Sequence, residues 1–226
     1  MIGRVVTGFG LALVLGGCAG NDPSGAEIDA VVRGLGARLL APAAPVRPSA
    51  QVLEEITPAR LAEIEGPLII AVLERGDQTG ALALAAVSAK GVETWVSGDG
   101  ISLGLAGGVL VASRGLASDL MAADPAPLAA AARGKAGPQS RRFRYLDGED
   151  RLITATRICA YAPPQPMRVL LFGTARQVVE ITERCTGRGA GILNEYWLDP
   201  SQDIVWRSRQ WLGPEGGHIV LHRARP

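Results

Sequence analysis

The chain has 226 residues, with 23 Lys and Arg against 22 Asp and Glu and a formal net charge of +1, a balance that points to neither nucleic acid nor an anionic membrane surface as a partner. Its 47% hydrophobic and 20% charged content excludes an intrinsically disordered chain and suffices for a sizeable core.

In chain order, Arg4 precedes a largely apolar run over residues 5–15, long enough for the core of a signal peptide and too short to span a bilayer. Leu15-Gly16-Gly17-Cys18 follows and resembles the bacterial lipobox, which is cut just before the cysteine. Residues 1–17 are therefore expected to be a leader, and Cys18 the site of a diacylglycerol thioether and an N-acyl chain of the palmitate type. The alternative is an ordinary secreted protein with an incidental cysteine. Because the leader holds one cation and no acid, the remaining chain is close to neutral.

Ser24 and Glu27 form a capping-box pattern, and Ile28, Val31, Val32, Leu35 and Leu39 recur at helical spacing, which predicts an amphipathic helix over residues 25–40. Pro42, Pro45 and Pro48 make residues 41–48 an extended spacer. Thr57-Pro58 then starts a short helix to about residue 64, threonine capping it and proline suiting its first turn. Residues 18–48 are thus read as a lipidated N-terminal segment and residues 49–226 as a β domain.

From residue 67 onward, short β-prone runs alternate with Gly, Asp and Pro turns. Strands are predicted over residues 68–74, 81–89, 92–97, 101–105, 109–113, 141–146, 152–160, 168–173, 178–185, 192–198, 204–212 and 218–223, with hairpin turns at 98–100, 106–108 and 148–150. A short helix is expected over residues 123–132. The fold class is mainly β, an antiparallel sandwich or barrel-like sheet with one or two short N-terminal helices. Trp95-Val96-Ser97 and Trp197-Leu198-Asp199 form a faint internal echo, too irregular in spacing to establish a duplication.

Once Cys18 is acylated, Cys159 and Cys185 remain as an even pair in an oxidising compartment, and a disulfide is the simplest reading. Two buried free thiols are the alternative. Gly100-Ile101-Ser102-Leu103-Gly104 has the form of a nucleophile elbow, but Ser102 falls inside a predicted hairpin strand instead of a strand-to-helix turn. His218 and His222 are the only histidines; two imidazoles without clustered acids or thiols make a poor metal site, and both are expected to be surface residues. No catalytic residue, metal site or cofactor is assigned. Trp95, Trp197 and Trp211 lie beside polar neighbours in their strands and are the candidate glycan contacts, by stacking on sugar rings. The preferred reading is that they cover sheet edges, with Arg207 or Arg209 lying over Trp211.

The segments 94–100, Arg114-Gly115-Leu116, Asp119-Leu120-Met121, Glu183-Arg184-Cys185, 194–199 and 208–211, in that order behind a lipobox, together resemble the YjbF/GfcB (YmcC-like) lipoproteins from about residue 68 to the end. The resemblance implies a mostly antiparallel β protein tethered to the outer membrane and associated with exopolysaccharide or group-four-type capsule. It implies that the family's cysteine pair is matched by Cys159 and Cys185, and it transfers no catalytic residue. Ala19 after the modified cysteine fits outer-membrane sorting. The expectation is a non-enzymatic accessory on the periplasmic face of the outer membrane, with the membrane, the polysaccharide or its secretion proteins as partners; a glycan-binding module and, less favoured, a polysaccharide-modifying hydrolase are the alternatives.

Overall fold

The computed structural model describes residues 47–226 except 117, 118, 148 and 150; the leader, Cys18, the predicted helix over residues 25–40, most of the spacer and two residues of the 148–150 turn lie outside them. The described chain starts with two short helices, α1 (Ser49–Glu54) and α2 (Pro58–Ala62). The expected start of α2 is present, since the Thr57 hydroxyl accepts the Arg60 amide at 3.3 Å and Pro58 occupies the first turn. Helix α1 carries no comparable signal in the sequence.

Thirteen strands follow: β1 (Leu68–Leu73), β2 (Gln78–Val87), β3 (Val92–Ser97), β4 (Ser102–Ala106), β5 (Val109–Arg114), β6 (Leu120–Ala123), β7 (Gln139–Leu146), β8 (Leu152–Tyr161), β9 (Gln165–Leu171), β10 (Thr174–Thr186), β11 (Ile192–Asp199), β12 (Ile204–Gly213) and β13 (Gly217–Arg225). One short helix, α3 (Leu128–Ala132), separates β6 from β7. All ladders are antiparallel, in the order β5-β4-β3-β2-β1-β13-β12-β11-β10-β8-β7-β6, with β9 paired to β10 alone. The sheet curls into a nearly closed barrel. Of the two architectures expected, the barrel is the one adopted.

The two ends of the sheet meet through side chains in place of a ladder. Asp119 accepts the Ser113 hydroxyl at 2.9 Å and the amides of Gly115 and Leu116 at 3.0 and 3.2 Å, while the Leu120 amide donates to Ser113 at 2.9 Å. Arg114 reaches the carbonyl of Met121 at 3.2 Å. A second tie crosses the barrel: Gln210 on β12 accepts the Leu110 amide at 2.7 Å and donates to the Gly108 carbonyl at 2.9 Å. Closing a sheet in this way removes the exposed edges that invite aggregation.

Inside lies the main core, drawn from Ile69, Leu82, Trp95, Leu103, Leu110, Phe143, Cys159, Cys185, Leu212, Ile219 and Leu221 among others. Strand β1 is apolar throughout because both of its faces are covered: Ile69 and Ala71 join this core, whereas Leu68 and Ile70 pack outward against Leu53 and Leu61 from the helices and Ile56 between them. Such a run is the signature of a strand buried on two sides. Cys159 and Cys185 face each other across the β8–β10 ladder and form a disulfide.

Two local expectations are corrected. The helix predicted over residues 123–132 exists only as α3, because Pro125 and Pro127 favour extended backbone before them, and Ala123 instead pairs with Phe143 of β7 as the end of β6, a strand the sequence reading lacked. The strand predicted over 168–173 ends at Leu171, since Phe172 and Gly173 both take positive φ, 49° and 77°, as the two-residue hairpin turn into β10. That glycine also permits close approach, because a Cβ there would stand 3.1 Å from Pro58.

Candidate functional site

Two polar features stand out, one inside the barrel and one on its outer face. The inner one follows from alternation along β10, where Ile181, Glu183 and Cys185 are buried on one face. Glu183 is fully enclosed and accepts from Arg141 at 2.6 Å, Tyr161 and Asn194 at 2.8 Å each, and Tyr196 at 3.4 Å. Arg141 spends its other donors on the Asp124 carbonyl, at 2.9 and 2.6 Å, and Gln139 donates to the Tyr161 hydroxyl at 3.1 Å. Burial and then the Glu183 charge push both tyrosine hydroxyls above their ordinary range, so they remain protonated donors. This ion pair is saturated, and its saturation makes it a fastening across β7, β8, β10 and β11 instead of a reactive centre.

Cys159, Glu183 and Cys185 place potential ligand atoms within 4.8 Å of one another. With both sulfurs bonded to each other, neither is a thiolate able to hold a metal.

The outer feature is a groove of about 530 Å³ over β1, β13 and β12. Its floor carries Val72, Val220, His222 and Arg207; one wall is the end of α1, with Leu53 and Glu54, together with Ile56 just beyond it, and the other is the end of β9 and the β9–β10 turn, with Leu170, Leu171, Phe172 and Gly173. The hairpin reaches this place because Leu171 and Val178 pack with Trp197 and Trp206 on the outside of the sheet. Leu170 stands at the rim, 72% exposed. His222 is buried on the floor, its ring centroid 5.9 Å from that of Phe172 in an edge-on arrangement. Burial, followed by the nearby Arg207 charge, lowers its pKa to about 4, so it is neutral at physiological pH.

Arg207 lies over the Trp197 ring at 4.7 Å. It forms no ion pair among the described residues, and its Nε is enclosed without an acceptor. It contrasts with Arg209, two residues on, which is held by Glu74 at 2.5 and 2.7 Å.

The structure does not assemble the tryptophans into one sugar platform. Trp95 is wholly enclosed, donates to Glu93 at 2.9 Å and has Arg223 over its ring at 4.9 Å. Trp197 is buried beneath Arg207 in a separate cluster. Trp211 packs against the main core, with Phe143 and Tyr145 edge-on at 5.5 and 5.6 Å. Nor do the tryptophans cover sheet edges as expected, since β3, β11 and β12 are internal strands; Arg207 lies over Trp197, and neither Arg207 nor Arg209 lies over Trp211. A cation already lies over the rings of Trp95 and Trp197, and the partly buried Trp211 belongs to a different cluster from Trp197, so the three offer no common surface for a pyranose.

Ser102 remains within β4, opposite Arg114, and is followed by the Gly107-Gly108 turn into another strand, so the elbow geometry does not arise. His218 and His222, read as surface residues, are half-buried and buried; His218 lies 3.0 Å from the Leu193 carbonyl, and its pKa is lowered chiefly by burial.

Residues missed in the sequence are Arg141, Glu183 and Arg207. Glu183 had a signal, being a charge in the inward register between Ile181 and Cys185. Arg207 had none, because only the folded-over hairpin turns its surroundings into a groove.

Compared with known proteins, residues 27–223 match the family described as "Group 4 capsule polysaccharide lipoprotein gfcB, YjbF". The crystal structure of the hypothetical lipoprotein YmcC from Escherichia coli (K12) superposes with a TM-score of 0.63 at 16% identity, covering 79% of this chain and 93% of that one. At that identity the likeness concerns the fold. Among curated proteins no relative matches the chain.

Proposed function

This chain belongs to the YjbF family of group 4 capsule polysaccharide lipoproteins, and from that premise we propose that it is a non-enzymatic accessory of capsule production and export, held by acylated Cys18 on the periplasmic face of the outer membrane. The observation that carries the reading is the family match over residues 27–223, preceded by Leu15-Gly16-Gly17-Cys18. Each methylene buried in the bilayer contributes about 0.8 kcal/mol, so a multiply acylated cysteine makes attachment effectively permanent.

Attachment restricts the body to a thin layer beside the membrane, where its local concentration against other envelope components is high. The closed sheet, the disulfide and the saturated Glu183 centre favour a rigid body. A rigid surface docks a partner at low entropic cost. On this reading the protein contributes position and shape, and its partners are secretion proteins of the polysaccharide pathway or the polymer itself.

The test is Cys18→Ala in the producing cell, followed by fractionation and measurement of surface polysaccharide. The variant is expected to keep its fold, leave the membrane pellet and lower surface polysaccharide. Recovery in the pellet would refute the anchor, and release with undiminished polysaccharide would refute the need for anchorage.

A further inference from the structure

The outer groove leaves open space and a cation, unpaired among the described residues, that the packing so far described does not use. Three elements distant in sequence, α1, the β9–β10 turn and the β1–β13–β12 surface, leave about 530 Å³ open between them, within the usual range of small-molecule sites of roughly 300–1,000 Å³. The walls are aliphatic and aromatic, and Leu170 at the rim is 72% exposed. At the floor stands Arg207, a cation without a carboxylate partner among the described residues, beside His222, whose ring makes no hydrogen bond among them.

We infer that this groove binds one single-chain anionic lipid, its headgroup between Arg207 and His222 and its hydrocarbon along Leu53, Ile56, Leu170 and Phe172. Charge complementarity selects the headgroup: a guanidinium and a neutral imidazole both offer N–H donors to an anionic oxygen, whereas a zwitterion would bring an unmatched cation to the same floor. The walls select the chain. They offer almost no side-chain hydrogen-bond partners, Glu54 being the polar exception, so a sugar entering here would lose its water without replacement, whereas hydrocarbon gains by leaving it. Trp197 beneath Arg207 fixes the guanidinium in place before the ligand arrives, which lowers the entropic cost of binding.

The inference goes beyond the accessory role and does not rest on it. Its test uses the full lipidated chain in dodecyl maltoside micelles, where a neutral single-chain amphiphile is already in excess, titrated with hexadecyl phosphate while the two imidazoles are followed by NMR as a function of pH. Binding is expected to raise the His222 pKa from about 4 by at least about one unit, since an adjacent anion favours the charged form, and to leave His218 in place.

Arg207→Gln is expected to weaken binding about tenfold or more, and Leu170→Asp to weaken it similarly without touching the headgroup. Equal movement of both histidines would mean charge on the micelle surface only and would overturn the site. So would an unmoved His222, or an Arg207→Gln protein that binds like wild type. Inorganic phosphate producing the same shift at the same concentration would overturn the lipid assignment, because the walls would then contribute nothing.

Discussion

Arg141 and Arg207 sit on opposite faces of one sheet and show two fates for a cation removed from water. Arg141 is buried in the barrel with a carboxylate at 2.6 Å and a backbone carbonyl taking its remaining donors. Arg207 lies on an aromatic ring at the foot of a groove, with no acid beside it among the described residues. Enclosing a charge costs several kcal/mol unless it is paired and hydrogen-bonded. The interior meets that cost within the fold and becomes rigid. In the groove Arg207 is only partly buried and keeps part of its hydration, which, on the inference above, a ligand replaces.

The contrast breaks most strongly at Glu183. Glu183→Gln keeps the shape but leaves the Arg141 charge uncompensated, and is expected to lower stability by about 3–5 kcal/mol, measured by urea unfolding. A loss below about 1 kcal/mol would show that the pair does not fasten the barrel.

Next is the disulfide beside it. Its cysteines are separated by 26 positions, and replacing both with serine is expected to cost roughly 3–4 kcal/mol on the denatured-state entropy account. An unchanged melting temperature in oxidised protein would dismiss that account.

The outer face is expected to respond to pH instead. His222 takes up a proton near its ordinary pKa when unfolded and only at about 4 when folded, so the unfolded state binds more protons between those values. Stability contributed by the neutral, buried imidazole is complete above about pH 6.5 and is lost as pH falls toward 4, by up to about 3 kcal/mol. His222→Phe should flatten this part of the profile; an identical profile in the variant would assign the acid sensitivity elsewhere.

The smallest effect is expected at Arg207. Arg207→Gln loses a cation–π contact and no ion pair, so it should change stability by about 1 kcal/mol or less. A loss as large as that of Glu183→Gln would make the two cations equivalent and end the comparison.

Residue chemistry along the chain was enough to read the β class, most of the strands, the cap of α2 and the pairing of Cys159 with Cys185, because each depends on local alternation, turn residues or simple cysteine arithmetic. Strand β6 was not read at all, and its last residue, Ala123, was read as the start of a helix because alanine favours one; pairing with Phe143 of β7 overrode that preference. The tryptophans were legible as amphipathic but not as covered, since the cations over Trp95 and Trp197 come from other strands, Arg223 on β13 and Arg207 on β12.

Sequence by itself therefore determined where the chain turns, which faces of its strands are apolar, and that Cys18 follows an apolar run. Closure of the sheet, the saturation of Glu183 and the solitary position of Arg207 were decided only by tertiary structure. The reason is that alternation specifies which way a side chain points, while its neighbours are set by strand order and by a hairpin folding back from a distant part of the sequence.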